Sequence, residues 1–199
     1  MEWVEVLAGS RTIVELPRGD ADDLVAAGEV LVQEGLSAWL VPFERRAELV
    51  GLRQVFGRRV RLGVSNLRTA DQVALAARGP ADLLLSPFAS AGLLDAADGR
   101  PLVLGGLTPV EVAAALSFGP AAVQVTPCDA LGSLYAHTLT AMFPAEPLIA
   151  TGKLERFQCE MWLDAGALAV CPVGAVGADD IAEPDLAGLR HRCQGYRFG

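Results

Sequence analysis

Lysine is nearly absent from this chain, because 15 of its 16 basic residues are arginine and only Lys153 is a lysine. The chain therefore offers a single side-chain amine for imine chemistry or for holding an anion as a point charge. Acidic residues outnumber basic ones, and the net charge of −8 repels nucleic acid and anionic lipid. There is no basic stripe and no aromatic–basic interleaving, so we expect no nucleic-acid partner.

Long apolar runs and paired cysteines are also missing. No run approaches the roughly 18 apolar residues of a membrane span, and residues 1–10 lack the basic start of a signal peptide. We therefore expect no membrane association and a cytoplasmic location. The four cysteines lie far apart without a CxxC pair, which favours reduced and mostly buried thiols over a disulfide. Without ligand spacing in the sequence, we expect no metal and no cofactor.

Short apolar runs alternate with helical patterns along the whole chain, which is typical of an α/β protein with a parallel sheet. Eight runs predict strands, at 12–16, 38–41, 60–63, 83–86, 102–104, 122–126, 148–150 and 167–171. Helical patterns occupy 20–34, 44–56, 69–78, 90–97, 108–118, the segment around His137, 155–165 and 179–190. Eight strands in 199 residues fit a closed (β/α)8 TIM barrel better than a flavodoxin-like open sheet. We expect a compact single domain over 1–199, with 176–199 as a tail.

Capping residues support several of these helices. Asp20, Thr69 and Thr108 each precede a helical pattern and can accept a hydrogen bond from a first-turn N–H group. Pro109 suits the first position of a helix, and Gly35 suits the residue after a helix end.

A family resemblance rests on the order and spacing of several phrases. They are VAAGEVLVQEGL (25–36), GVSN (63–66) with TADQ (69–72), ADLLLSP (81–87), GGLTPVE (105–111), AVQVTPCDAL (122–131) and TG (151–152). Together they resemble the 2-keto-3-deoxy-6-phosphogluconate (KDPG) and 4-hydroxy-2-oxoglutarate (KHG) aldolases, in which the last two phrases typically read AVKLFPAEAL and TGG. The resemblance covers about residues 12–175.

The resemblance implies a TIM barrel, usually assembled as a trimer, that cleaves keto-deoxy sugar-acid phosphates or 4-hydroxy-2-oxoglutarate. Such class I aldolases form a Schiff base through a lysine while a glutamate moves protons. The resemblance places that lysine at Gln124 and that glutamate at Leu40. An amide is not an amine nucleophile and leucine does not titrate, so this pattern favours lost or altered catalysis.

Polar residues at the predicted C-terminal strand ends, together with glycines that let the backbone approach a ligand, are candidates for ligand binding, because the active site of a TIM barrel lies at this face. The candidates are Arg18, Asn66, Gln124, Thr151, Gly152, Lys153 and Gly174. Asn66 and Lys153 stand where the family has threonine and glycine. Glu15 and Glu44 are possible acids or bases, although Glu44 also suits a helix start.

Lys153 has three interpretations that the sequence leaves open: a solvated loop lysine, an anion-binding group, or a relocated Schiff-base amine. Three functions remain in parallel. The first is a non-aldolase relative that binds a small phosphorylated or carboxylated metabolite. The second is an active lyase that uses Lys153 or an acid such as Glu44, and the third is a non-catalytic interaction or scaffold protein.

Overall fold

Eight parallel strands follow one another around a barrel in chain order. The computed structural model of the chain describes residues 6–7, 9–19, 21–177 and 185–198. The strands are β1 (Ile13–Glu15), β2 (Ala38–Pro42), β3 (Arg61–Ser65), β4 (Leu83–Leu85), β5 (Leu102–Gly106), β6 (Ala122–Val125), β7 (Leu148–Gly152) and β8 (Ala169–Pro172). The last strand returns to the first through a parallel bridge between Thr12 and Val170, and the Val170 N–H donates to the Arg11 carbonyl at 2.9 Å. The predicted TIM barrel is confirmed, with every predicted strand in its place.

A helix follows each strand, with a longer connection before the last. The helices are α1 (Ala21–Gln33), α2 (Glu48–Phe56), α3 (Ala70–Ala77), α4 (Ala91–Ala96), α5 (Pro109–Ser117), α6 (Ser133–Met142), α7 (Arg156–Asp164) and α8 (Leu186–Gly195). The predicted caps Thr69 and Thr108 accept hydrogen bonds from the N–H groups of Gln72 and Glu111. Gly35, the second residue after α1, has a φ of 79°, which glycine adopts easily where a helix ends. The predicted cap Asp20 lies outside the described residues.

Two predicted helices were wrong at their ends. The second begins at Glu48 instead of residue 44, because Phe43–Arg45 forms a 3-10 turn directly after β2. This turn buries Arg45, which donates to the backbone carbonyls of Leu16 and Pro17 at 2.6 and 2.8 Å. The tail helix α8 runs past its predicted end at residue 190. Residues 178–184, which include the whole first half of the predicted helix, lie outside the described part of the chain.

The core has two layers, because the strands of a barrel are covered on both faces. Inside the barrel, side chains such as Ile13, Leu85 and Ile149 fill the space between the strands. Outside it, Trp39 packs edge-on against Phe56 with ring centroids 4.8 Å apart, in the layer between strands and helices. Burial of this kind is the main favourable contribution to folding.

All four cysteines are buried and none forms a disulfide, which confirms the expected thiols. Burial raises the pKa of Cys128 and of Cys159 to about 12. The thiolate is the reactive form of cysteine, so these thiols are inert at neutral pH. In the part of the chain that the structure describes, no helix is long and apolar enough to cross a membrane.

Candidate functional site

A pocket of about 360 Å³ opens at the end of the barrel where the strands finish. Its walls come from strand ends and from the turns that follow them, which is where parallel barrels bind ligands. The lining residues are Glu15, Leu40, Ser65, Asn66, Leu85, Pro87, Gln124, Thr126, Pro127, Asp129, Thr151, Gly152, Lys153, Cys171 and Val173. The pocket therefore combines an apolar wall with carboxylate, amide, hydroxyl and ammonium groups.

The end of β7 and the residue that follows it contribute Thr151, Gly152 and Lys153 to the pocket wall. Among the side chains that the structure describes, the Thr151 hydroxyl oxygen is the one buried polar atom without a hydrogen-bond partner. A buried hydroxyl without a partner carries a desolvation cost, which a ligand in the pocket can remove. Lys153 is exposed at the rim beside it and brings the pocket a positive charge.

Gln124 on β6 is buried inside the barrel and 5% exposed. Its Nε2 donates to the backbone carbonyl of Ser86 at 2.6 Å. A carbonyl oxygen only accepts hydrogen bonds, so this contact fixes which end of the amide points at Ser86. The side chain is therefore held in place by Ser86, the residue after β4, and its acceptor oxygen is not the atom used in that contact.

Glu15 stands at the end of β1, and its carboxylate accepts a hydrogen bond from Ser65 Oγ at 3.2 Å. Glu15 pairs in register with Leu40 of β2. Leu40 is 1% exposed and belongs to the barrel interior. The carboxylate therefore lies beside an apolar wall instead of in open solvent.

Cys171 on β8 forms another part of that wall and is fully buried. Its pKa is raised, first by burial and then by the negative charge of Glu15. The thiol stays protonated at neutral pH. Cys171 consequently contributes an apolar surface to the pocket and no nucleophile.

Asp129 is a pocket residue that the sequence did not reveal. The turn after β6 brings it against Gly152, where a Cβ atom would collide with the Asp129 carboxylate. The Cys128 N–H donates to the Thr151 carbonyl at 3.0 Å and holds this turn against β7. The phrase AVQVTPCDAL placed Asp129 after a strand end, but only the turn geometry shows that it reaches the pocket.

Three predicted residues do not line the pocket. Arg18 lies exposed in the segment after β1, and Glu44 lies exposed in the 3-10 turn after β2. Gly174 is exposed in the turn after β8 with a φ of 83°. Two backbone donors of that turn are engaged internally, because the N–H groups of Val173 and Ala175 donate to the carbonyls of Gly152 and Pro172.

The sequence of the chain matches the family model described as KDPG and KHG aldolase over residues 5–191. The chain belongs to the KDPG and KHG aldolase family. A search of curated proteins found no match to this chain.

Several solved structures resemble this barrel. The KDPG aldolase of Legionella pneumophila, with pyruvate captured as a covalent carbinolamine, is 18% identical, with a TM-score of 0.81 over 98% of this chain and 97% of that chain. The KDPG aldolase of Zymomonas mobilis with 3-phosphoglycerate is 20% identical, with a TM-score of 0.81 over 98% and 93%. A cube-shaped protein cage designed by fusing symmetric oligomeric domains is 20% identical, with a TM-score of 0.81 over 94% and 70%. At these identities the likeness shows the fold alone.

Proposed function

We propose that this chain is a divergent member of its family that has lost the class I aldolase reaction and binds a small phosphorylated or carboxylated sugar acid in the pocket. The observation that carries this proposal is that Gln124 and Leu40 both line the pocket, at the positions where the resemblance places the Schiff-base lysine and the proton-carrying glutamate. The amide lone pair of Gln124 is delocalised, and its Nε2 already donates to Ser86. Leu40 offers an apolar surface where a class I aldolase needs a titrating group.

The ligand class follows from the end of β7. Lys153 supplies a positive charge and Thr151 an unpartnered hydroxyl, which together suit a phosphate or carboxylate oxygen. Because Glu15 and Asp129 also line the pocket, its charge is mixed, and a ligand with hydroxyl or keto groups beside its acid fits better than a bare anion. The 3-phosphoglycerate bound by the Zymomonas mobilis relative belongs to the same chemical class.

The proposed assembly is a cytoplasmic homo-oligomer of single-domain chains, a trimer by family resemblance. One similar structure is a cage built from symmetric oligomeric domains. On this chain, Val110 and Leu134 are 79% and 77% exposed at the starts of α5 and α6. These helices follow the paired strands β5 and β6, so the two apolar side chains lie at the same end of the barrel.

A ligand screen by thermal unfolding tests the binding proposal, because a ligand that binds the folded chain raises its melting temperature. Pyruvate, inorganic phosphate, 3-phosphoglycerate and KDPG at millimolar concentration are the probes. We expect at least one keto acid or sugar-acid phosphate to raise the melting temperature. Lys153→Ala should weaken this binding by about 1–3 kcal/mol, the scale of a charge-assisted hydrogen bond.

Arg58→Ala is the matched control for Lys153→Ala. Arg58 is also exposed, but it lies before β3 at the opposite end of the barrel, so its loss changes the net charge equally without touching the pocket. Equal weakening in the two variants would mean that Lys153 acts only through net charge. The absence of any shift in the wild-type chain would refute the binding proposal.

The second candidate is an active lyase that uses Lys153 as a relocated amine, and the position of Lys153 at the pocket rim favours it. In the Legionella pneumophila relative, pyruvate was captured as a covalent carbinolamine. The same chemistry here would attach pyruvate to Lys153, because the chain has no other lysine. Glu44 is exposed outside the pocket, which leaves it badly placed as the acid of this lyase.

A further inference from the structure

We propose that the Glu15 carboxylate is the proton-transfer group of this pocket, and that it removes a proton from the carbon next to the keto group of a small 2-keto acid. This inference rests on the proposed binding function. It adds a reaction class, enolisation, that needs neither a Schiff-base lysine nor a titrating residue on β2.

The barrel register places Glu15 inside the pocket. Its Cα pairs with that of Leu40, whose own partner on β3 is Gly63. Residues paired directly across neighbouring strands project to the same face, and Leu40 belongs to the barrel interior. The Glu15 side chain therefore projects into the barrel at the same level as Leu40, from the neighbouring strand.

Gly63 leaves space at the same level on β3. A Cβ at position 63 would collide with the Leu40 side chain. The glycine therefore leaves room for Leu40 to pack over β3. Leu40 and Leu85 then form an apolar wall near the carboxylate.

The backbone that carries Glu15 is held firmly. The N–H of the next residue, Leu16, donates to the Leu40 carbonyl at 2.9 Å. The backbone carbonyls of Leu16 and Pro17 accept hydrogen bonds from the buried Arg45 guanidinium. The same guanidinium forms a bidentate pair with the Glu48 carboxylate at 2.6 and 2.8 Å. The backbone that carries the base is therefore already ordered before a ligand binds.

The other ionisable side chains of the pocket suit different roles. Cys171 is protonated and buried, and Asp129 lies on a turn where it packs against Gly152. Lys153 is exposed at the rim and provides charge for the acid group of the ligand. Glu15 is the carboxylate that projects from a strand and has a single described side-chain partner, the Ser65 hydroxyl.

The step balances without a cofactor or an oxidant. The C–H bond next to the keto group breaks and an O–H bond forms on Glu15. The C–H electron pair becomes the new carbon–carbon double bond, while the π electrons of the keto group move to its oxygen. The Thr151 hydroxyl can donate to that oxygen, since it has no other described partner. The abstracted proton on Glu15 exchanges with deuterium of the solvent, and transfer of that deuterium to carbon regenerates the carboxylate. The net result in deuterated water is therefore exchange of hydrogen for deuterium.

The test is proton NMR of the chain with pyruvate or 2-oxobutyrate in deuterated water. We expect the signal of the hydrogens next to the keto group to decay faster than in buffer. Glu15→Gln should slow the protein-dependent rate about a hundredfold or more, the usual contribution of a general base. The control is Glu146→Gln, which removes an exposed carboxylate in the loop before β7, outside the pocket, and should leave the rate unchanged. Glu15→Asp should retain part of the rate and serves as a second variant if Glu15→Gln folds poorly.

Parallel thermal unfolding separates this inference from the binding proposal. Glu15→Gln should still be stabilised by the keto acid, because Lys153 and Thr151 remain. Ligand stabilisation without exchange in the wild-type chain, or exchange that Glu15→Gln leaves unchanged, overturns the role of Glu15 while binding stands. If no keto acid stabilises the chain and none exchanges, both proposals fail.

Discussion

At the scale of single residues, Gln124 shows how the barrel interior tolerates a polar group. The buried Nε2 donates to the Ser86 carbonyl at 2.6 Å, and that pairing removes most of the cost of burying both groups. The same contact links β6 to Ser86, the residue that follows β4. Gln124 therefore supports the structure whether or not a ligand is present.

Gln124→Leu should lower the free energy of unfolding by about 1–3 kcal/mol, because it leaves the buried Ser86 carbonyl without its donor. Urea unfolding followed by circular dichroism measures the change. Gln54→Leu on the exposed surface of α2 is the control and should stay within about 0.5 kcal/mol of wild type. If the two variants were equally stable, the hydrogen bond to Ser86 would not be a net stabiliser.

The sequence predicted the pocket residues best where the side chain sits directly on a strand end. Gln124 and Thr151 lie within β6 and β7, and the alternation of a strand fixes the face that each presents. Arg18 and Gly174 lie in turns whose path depends on tertiary contacts, such as the hydrogen bonds of Arg45 to Leu16 and Pro17. The same dependence hid Asp129, which reaches the pocket only because its turn folds against β7.

At the scale of elements, α5 begins with a capping box between Thr108 and Glu111. The Glu111 carboxylate accepts from the backbone N–H of Thr108 at 2.8 Å, from the N–H of Leu107 at 3.1 Å and from the Thr108 hydroxyl at 2.9 Å. These hydrogen bonds hold the pKa of Glu111 below its ordinary value of 4.5. A lowered pKa in the folded chain means that the ionised cap stabilises the fold.

Glu111→Gln should therefore be less stable than wild type at pH 7, and this difference should shrink in acid. The stabilisation is complete above about the ordinary glutamate pKa and is lost as the pH falls through the lowered value in the folded chain. Melting temperatures at pH 7 and pH 3 measure it, with Glu146→Gln in the loop before β7 as control. A difference from wild type that stays constant with pH would show that the charge of Glu111 is not what stabilises the cap.

The order of the elements was predictable because each strand is a short apolar run between helical patterns. Every strand was found in this way, and the caps at Thr69 and Thr108 located two helix starts. The start of α2 was not predictable, because residues 44–47 have no feature that forbids a helix. Only the burial of Arg45 under the segment after β1 shows why a 3-10 turn comes first.

At the scale of the whole molecule, the exposed apolar residues Val110 and Leu134 support the proposed oligomer. Light scattering coupled to size exclusion should give about three times the 20.9 kDa chain mass. Leu134→Asp should shift the protein toward smaller species, since it places a charge at an apolar contact. Val50→Asp on α2, where Val50 is 52% exposed, is the control and should not. A wild-type monomer would contradict the proposed assembly.

The central claim concerns the whole pocket: it holds a small acid without forming an imine. Mass spectrometry of the intact chain after incubation with pyruvate and borohydride tests this claim most directly, because reduction makes any imine permanent. The incubation uses a pyruvate concentration that stabilises the folded chain, so that the pocket is occupied. We predict an unchanged mass, since Gln124 carries no amine and Lys153 serves as a charge at the rim. A mass increase by one reduced pyruvate, mapped to the peptide that contains Lys153, would contradict the account and establish Lys153 as the nucleophile of an active lyase.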